Sequence, residues 1–233
     1  MPDAAPPTPL PKLLLLLSLT TGLVDAVSVL GLGKVFTANM TGNIVFLGFA
    51  VAGAPGFRMA PFIVALMTFM GGALVAGRLG KAMGRRPLRH WLLIAATIET
   101  ALLWSAAAIA YRFDILMQEP RWALYAIIAG TAIAMGFRNA TIRQLKVPDL
   151  TTTVLTLTIT GIAADSSLAG GVNPNWGRRL GSILAILGGA ALGALLLVRT
   201  GALVAPLVLA GFLVLVGTIV CAFAPGARTP DGQ

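Results

Sequence analysis

The stretch KLLLLLSLTTGLVDAVSVLGLG, residues 12–33, decides the class of fold. It begins with a lysine, and Asp25, near its middle, is the one further charge. Because an α-helix rises 1.5 Å per residue, about 20 apolar residues are needed to cross roughly 30 Å of hydrocarbon. The stretch therefore predicts a transmembrane helix.

Further apolar stretches of similar length follow at 59–80, 91–111, 122–145, 180–198 and 202–223. Two shorter ones, 40–53 and 151–165, are richer in Thr, Asn and Gly. As helices they reach only about 20 Å, so they are either tilted spans or re-entrant half-helices. The sequence predicts an all-α integral membrane protein with about six transmembrane helices and two short helices.

The composition agrees with this class. Of 233 residues, 57% are hydrophobic and 11% charged, whereas an average soluble domain is about 25% charged and so covers its surface. We expect a single transmembrane domain over 12–223. A disordered Pro-rich tail at 1–11 and a flexible cytoplasmic tail at 224–233 flank it.

The net charge of +9 would suit a nucleic-acid-binding protein, but the basic residues lie mainly at the ends of apolar stretches. That placement favours membrane orientation. If the six long stretches cross, twelve of the 17 Lys and Arg residues lie on the side of both termini; if all eight cross, the better orientation gives ten. The positive-inside rule thus predicts six crossings, with both termini in the cytoplasm and no nucleic-acid partner.

An internal repeat is predicted at an offset of 114 residues. GLVDA at 22–26 resembles GFRNA at 136–140, and a Thr-rich short segment follows each. The two halves would cover 12–111 and 122–223. With three crossings in each half, the second copy must be inverted, which is common in transporters and channels.

Small residues recur at every fourth position of the next long stretch in each half, and so lie on one helical face. Such faces let helices approach closely in lipid. We therefore expect 59–80 to pack against 180–198 near the pseudo-twofold axis. The packing residues would be Gly72, Ala76 and Gly80 in one helix and Gly181, Ala185 and Gly189 in the other.

The most specific segment of the chain is TGLVDAVSVLGLGKVFTANMTGNIVFLG, residues 21–48. With the later GFRNATIRQL at 136–145, it resembles the YoaK family, also called the domain of unknown function 1275. The resemblance implies a bacterial membrane protein with six helices, hence the inner membrane. It carries no catalytic or binding residues with it.

Asp25 is the sharpest candidate for chemistry. A charge so deep in a helix costs roughly 2.5–3.5 kcal/mol on insertion scales, so it usually faces a cavity or a partner. Asp25 is either an ion or proton site, or a structural carboxylate bonded to nearby amides or Thr hydroxyls.

Glu99 and Arg138 are expected at similar depths on antiparallel helices. We expect a structural ion pair between them, which would lower the cost of burying both charges. The alternative makes Glu99 a proton carrier.

The segment Asn39-Met40-Thr41-Gly42-Asn43 offers donors and acceptors where a short helix begins. Asn39, Thr41 and Asn43 would bind a solute or ion; alternatively, Thr41 or Asn39 would cap that helix. Asn139, the repeat-mate of Asp25, and Thr153 of the second short segment would complete the site.

Cys221 and His90 are single residues of their kinds, so we predict no disulfide and no cluster of cysteines or histidines holding a metal. Neither a cofactor motif nor a nucleophile triad is found, and an enzyme is not expected.

Two functions remain open from the sequence. The first is a small-solute permease or channel with a polar midplane site; the second is a non-transporting membrane scaffold or sensor that acts with a partner protein. The expected partners of the chain are the lipid bilayer and an unknown small solute or ion. Homodimerisation would reconcile the small size with transport.

Overall fold

The computed structural model describes residues 9–83, 86–145 and 155–224. Two of its helices are short, α2 (Met40–Val51) and α6 (Leu155–Ala164), and a 3-10 turn follows α6 at Ser167–Ala169. The long helices are α1 (Leu10–Gly31), α3 (Met59–Met83), α4 (Leu88–Ala110), α5 (Arg121–Leu145), α7 (Trp176–Thr200) and α8 (Val204–Phe223).

The six long helices are long and apolar enough to cross a membrane. Within the described residues the only extended pairing is an isolated bridge between Asp114 and Glu119. The predicted class, an all-α membrane protein with six spans and two short helices, is confirmed.

The N-terminal boundary differs from the prediction. Helix α1 begins at Leu10, so residues 10 and 11 are helical rather than part of a tail. Pro11 fits there because the first turn of a helix has no use for the amide hydrogen that proline lacks. The remainder of both predicted tails, residues 1–8 and 225–233, lies outside the described residues, and so does Thr153.

The helices differ in how deeply they sit in the bundle. In α1 and α5, 67% and 61% of the membrane-crossing window is buried, against 28% in α3 and 17% in α7. Thus α1 and α5 form the centre, and α3 and α7 present most of their surface outward. Both central helices carry polar side chains inside the bundle, among them Ser18 and Thr21 of α1 and Thr131 and Arg138 of α5.

The packing partners of α3 and α7 correct a prediction. Helix α3 packs against α5 and α7 against α1, while α3 and α7 do not touch within the described residues. The expected contact of 59–80 with 180–198 is therefore wrong. A stripe of small residues allows close approach but does not specify the partner helix. Here the stripe of α3 packs against α5, and that of α7 packs against α1.

Glycine lies at the centre of both contacts. A Cβ atom added at Gly22, Gly72, Gly136 or Gly189 would collide with a backbone carbonyl of the opposite helix, respectively that of Ile186, Ile133, Phe69 or Leu19. Since only glycine lacks a Cβ, these four positions set how closely the backbones approach.

The remaining residues of the predicted stripes also face the bundle, but less tightly. Ala76 is fully buried and Ala185 is half-buried. Gly80 lies against the side chain of Gln144, and Gly181 against that of Leu15. These contacts involve side chains, which can adjust, whereas the four glycine contacts involve backbone, which cannot.

Candidate functional site

The segment between α1 and α3 folds back into the bundle. Its two ends meet, because the ammonium group of Lys34 lies 5.1 Å from the ring centre of Phe57. Its middle reaches the interior, where the amide of Ala38 donates a hydrogen bond of 3.4 Å to Oδ1 of Asp25. Helix α2 thus begins beside the C-terminal third of α1 and runs back toward the end from which the segment entered.

Asn43 fastens this segment. Its Oδ1 accepts a hydrogen bond from the amide of Phe36 at 2.8 Å, and its Nδ2 donates to the carbonyl of Phe36 at 2.5 Å. Asn43 is fully buried. Both ends of its amide are therefore used on the backbone, and the structure places it as a clamp for residues 34–40.

Aromatic rings hold the outer part of the same segment. Phe46 of α2 lies 6.0 Å from Phe36, 5.3 Å from Phe57 and 5.9 Å from Phe62, measured between ring centres. Such separations suit tilted or offset aromatic pairs. The segment is fixed to α3 by this cluster outside and to its own loop by Asn43 inside.

A cleft of about 540 Å³ opens where α2 begins. It brings together Asn39, which precedes α2, Thr41 of α2 and Asn139 of α5, three of the residues that the sequence proposed as a site. The rest of its wall is Ala38, Met40, Phe69, Ala73, Ala140, Ile142 and Arg143.

Two other proposed residues stand apart from the cleft. Asn43 is occupied by the backbone of Phe36. Asp25 lies behind Ala38, whose amide it accepts and which itself lines the cleft. The cleft therefore ends one residue short of the carboxylate.

Arg143 also lines the cleft, although its place in the sequence indicated only one of the basic residues near the ends of apolar stretches. A signal was available, because Asn139 and Arg143 are four residues apart and so share one face of α5. The described residues that line the cleft include no acidic side chain. Its polar wall is made of amides, a hydroxyl and a guanidinium.

Glu99 and Arg138 lie in contact, both buried. Nε of Arg138 donates to Oε1 of Glu99 at 2.8 Å, and one terminal nitrogen donates to the same oxygen. Nη1 donates to the carbonyl of Leu17 at 3.0 Å and to the hydroxyl of Thr21 at 2.9 Å. Arg138 thus joins α5 to both α4 and α1.

These partners explain how a guanidinium is tolerated in the core. A buried ion pair compensates its loss of hydration only if its other donors are also satisfied. Leu17 and Thr21 supply the acceptors that Glu99 does not. The sequence shows Thr21 as a polar residue in an apolar helix, but it does not show that its hydroxyl points toward Arg138.

The model of the family described as Protein of unknown function (DUF1275) matches residues 13–220. The UPF0700 transmembrane protein YoaK of Bacillus subtilis (strain 168) is 31% identical over 158 residues, which is 66% of each chain. No solved structure matches the chain.

The family match runs from the third residue after Leu10 almost to the end of α8, and so includes the cleft, the Asn43 clamp and the Glu99–Arg138 pair. It agrees with the resemblance drawn from residues 21–48. The aligned relative is named a transmembrane protein, which agrees with the six long apolar helices of this chain. The chain belongs to the DUF1275 family of multi-pass membrane proteins.

Proposed function

We propose that the protein is a small-solute permease or channel of the bacterial inner membrane, in which the cleft between α2, α3 and α5 is the solute site. The observation that carries this proposal is the cleft of about 540 Å³, with Asn39, Thr41 and Asn139 on its wall. A groove of that size with convergent polar groups is suited to binding a small molecule.

The depth of the cleft supports transport. Irregular backbone within a membrane occurs only where it is buried in protein or lines a water-filled cavity. The segment around Ala38 is such backbone on this proposal, because it contacts Asp25, which lies inside α1 about 9 Å from the end of the helix at Gly31. On this proposal α2 is re-entrant, and its first turn meets the solute near the bilayer midplane.

An inverted repeat is part of the proposal. If α1–α4 correspond to α5–α8, each inter-helix contact has a counterpart. The α1–α7 contact matches α5–α3, α1–α8 matches α5–α4, and α2–α3 matches α6–α7. Transporters built from inverted repeats place their sites near the midplane between the halves, which is where the cleft lies on this proposal.

The proposed orientation has both termini in the cytoplasm. Basic residues flank the ends of the helices that would face that side: Lys12, Arg78, Lys81, Arg86, Arg89, Arg143, Arg178 and Arg179. The positive-inside rule counts such residues close to helix ends. Reporter fusions at both termini and in the 112–120 loop test this topology.

Solute permeation tests the function directly. The full chain is reconstituted into vesicles of phosphatidylethanolamine and phosphatidylglycerol, and stopped-flow light scattering follows permeation of urea, glycerol, glycine, acetate and phosphate. We expect at least one solute to pass faster than in protein-free vesicles. Asn139→Leu, which removes a polar group from the cleft wall, should slow that solute.

The matched control is Gly71→Ala. A Cβ atom at Gly71 meets no other atom within 4 Å, so the variant should permeate like the natural protein. Vesicles with well-folded protein that pass every solute at the protein-free rate, together with unchanged uptake in a deletion strain across a broad solute panel, would contradict transport and favour a scaffold or sensor.

A further inference from the structure

A second, much smaller cavity lies beside the Glu99–Arg138 pair. Its volume of about 30 Å³ is enough for one or two water molecules, since a single water needs about 10–15 Å³ measured in this way. It is lined from four helices, by Leu13 and Leu17 of α1, Leu92, Ala95, Ala96 and Glu99 of α4, Arg138, Thr141, Ile142 and Leu145 of α5, and Val214 and Thr218 of α8.

One hydroxyl that lines the cavity, that of Thr141, lacks a hydrogen-bond partner within the described part of the chain. This hydroxyl is buried. A buried polar atom without a partner is costly, and ordered water is the usual remedy. Its neighbours Glu99 and Thr218 are polar residues that line the same space.

Glu99 has an unused oxygen. Both contacts from Arg138 go to Oε1, and no hydrogen bond to Oε2 is formed within the described part of the chain. Since a carboxylate can accept several hydrogen bonds, Oε2 is available to water in the cavity. An oxygen in that position can also receive a proton.

The surrounding charges are few. Among the residues that the structure describes, Arg138 is the only charged side chain besides Glu99 that lines the cavity. The other titratable side chains on the same four helices do not line it: Lys12, Asp25, Arg89, His90, Arg121, Tyr125, Arg143 and Cys221. Any proton bound here is therefore shared between Glu99 and water, with Arg138 as the fixed counter-charge.

We propose that this cavity is a hydrated proton-binding site, in which water held by the Thr141 hydroxyl donates a hydrogen bond to Oε2 of Glu99. A proton carried by this water binds Oε2 and leaves Glu99 neutral. Release returns it to the same water. Arg138 remains protonated in both states.

Protonation of Glu99 changes the surroundings of Arg138, the residue that directly precedes Asn139 of the cleft. With Glu99 neutral, Arg138 keeps its bonds to Leu17 and Thr21 but loses its ionic partner. Its neighbour in sequence, Asn139, lines the cleft. The use of this proton in transport rests on the function proposed above; the proton site itself does not.

The test follows one carboxyl group. The chain contains two glutamates, Glu99 and Glu119, and Glu119 is exposed in an ion pair with Arg121. Cell-free synthesis of Glu119→Gln with carboxyl-13C glutamate therefore leaves one labelled carboxyl, that of Glu99. Its 13C resonance is titrated in the full chain, in detergent micelles.

We expect the resonance to move between the carboxylate and carboxylic-acid positions within the pH range in which the protein stays folded. Adding Thr141→Val removes the hydroxyl and keeps the shape. It should displace the midpoint by roughly 0.5–1 pH unit, the effect of about one hydrogen bond. Thr131→Val is the control, because the Thr131 hydroxyl bonds to the carbonyl of Ile127 within α5.

Two results would overturn the proposal. The first is a Glu99 resonance that stays at the carboxylate position throughout that pH range. The second is a midpoint in Thr141→Val that equals the one in Thr131→Val. Because no solute is involved, a permeation experiment that fails leaves this result standing, and the reverse also holds.

Discussion

The two short helices are held in place by different chemistry. Helix α2 is fixed by the Phe46 ring cluster on its outer side and by the buried Asn43 on its inner side. Near α6, by contrast, Arg179 donates to Asp165 at 2.6 Å, and 44% of the Asp165 side chain is exposed. The first segment is anchored by packing and the second by a charge pair at the rim.

The two central helices also differ from each other, in the charges that they carry. In the aligned pentapeptides, Val24-Asp25 of α1 corresponds to Arg138-Asn139 of α5. The first carries a negative group and the second a positive one. If the halves descend from one ancestor, the contacts between helices have been kept while the buried charges have diverged. The helix contacts are then the scaffold, and the charges are where function differs.

The largest expected effect comes from the charge that only one half carries. Glu99→Leu leaves Arg138 buried without its counter-ion, which typically destabilises a protein by about 3–5 kcal/mol. Adding Arg138→Leu should recover most of the lost stability. It makes this position of the second half apolar, as Val24 is at the corresponding position of the first. Unfolding by SDS in mixed micelles, followed by the fluorescence of the four tryptophans, measures both.

A double variant as unstable as Glu99→Leu alone would contradict this. It would mean that the bonds from Arg138 to Leu17 and Thr21 stabilise the bundle independently of Glu99.

The glycine contacts come next and test the likeness of the halves. Gly72→Ala and Gly189→Ala place a Cβ against a carbonyl of α5 and α1, respectively, and overpacking of this kind costs about 1–3 kcal/mol. Their sequence neighbours provide controls, because a Cβ at Gly71 or Gly188 meets nothing within 4 Å.

In the same micelle unfolding experiment, Gly71→Ala and Gly188→Ala should stay within about 0.5 kcal/mol of the natural protein. Equal losses at Gly72 and Gly189 would sharpen the comparison. A loss at one and none at the other would show that the two contacts are not equivalent.

A smaller effect is expected at the clamp. Asn43→Ala removes both hydrogen bonds to the Phe36 backbone and leaves those groups without these partners, a loss of about 1–2 kcal/mol. Hydrogen exchange should show faster exchange at residues 34–40. Unchanged exchange there would mean that the ring cluster suffices to hold the segment.

The smallest effect is expected at the rim of the second segment. Asp165→Asn removes the charge of a partly exposed pair, and such pairs contribute about 0–1 kcal/mol. Salt screens exposed charges, so the difference should shrink at high ionic strength. The same unfolding curves, recorded at low and high salt, provide the measurement. A loss that is large and independent of salt would place this pair in the same category as the clamp.

The sequence was sufficient for the helices and insufficient for their partners. Length and apolarity predict each span, because the bilayer fixes both requirements. The predicted contact of α3 with α7 failed because the decisive atoms at Gly72 and Gly189 meet backbone carbonyls, which every residue has. Backbone contacts leave no specific partner signature in a sequence.

The candidate site shows the same division. The pairing of Glu99 with Arg138, which the structure places in contact, follows from their similar depths in neighbouring helices. The role of Asn43 does not follow, because its residue type fits a ligand site and a backbone clamp equally well. Arg143 and the apolar side of the cleft required the register between α3 and α5, which only the fold supplies.

The packing of α1 against α7 and α8 also constrains how the protein is made. Among the described helices α1 is synthesised before all others, yet its main neighbours, α7 and α8, are synthesised after all others. Until they arrive, Gly22 lacks the α7 backbone against which it packs, while Thr21 and Asp25 already have their partners in α5 and in the segment before α2. Assembly thus closes a loop nearly as long as the chain, and a nascent chain that ends after α6 lacks the largest surfaces against which α1 packs.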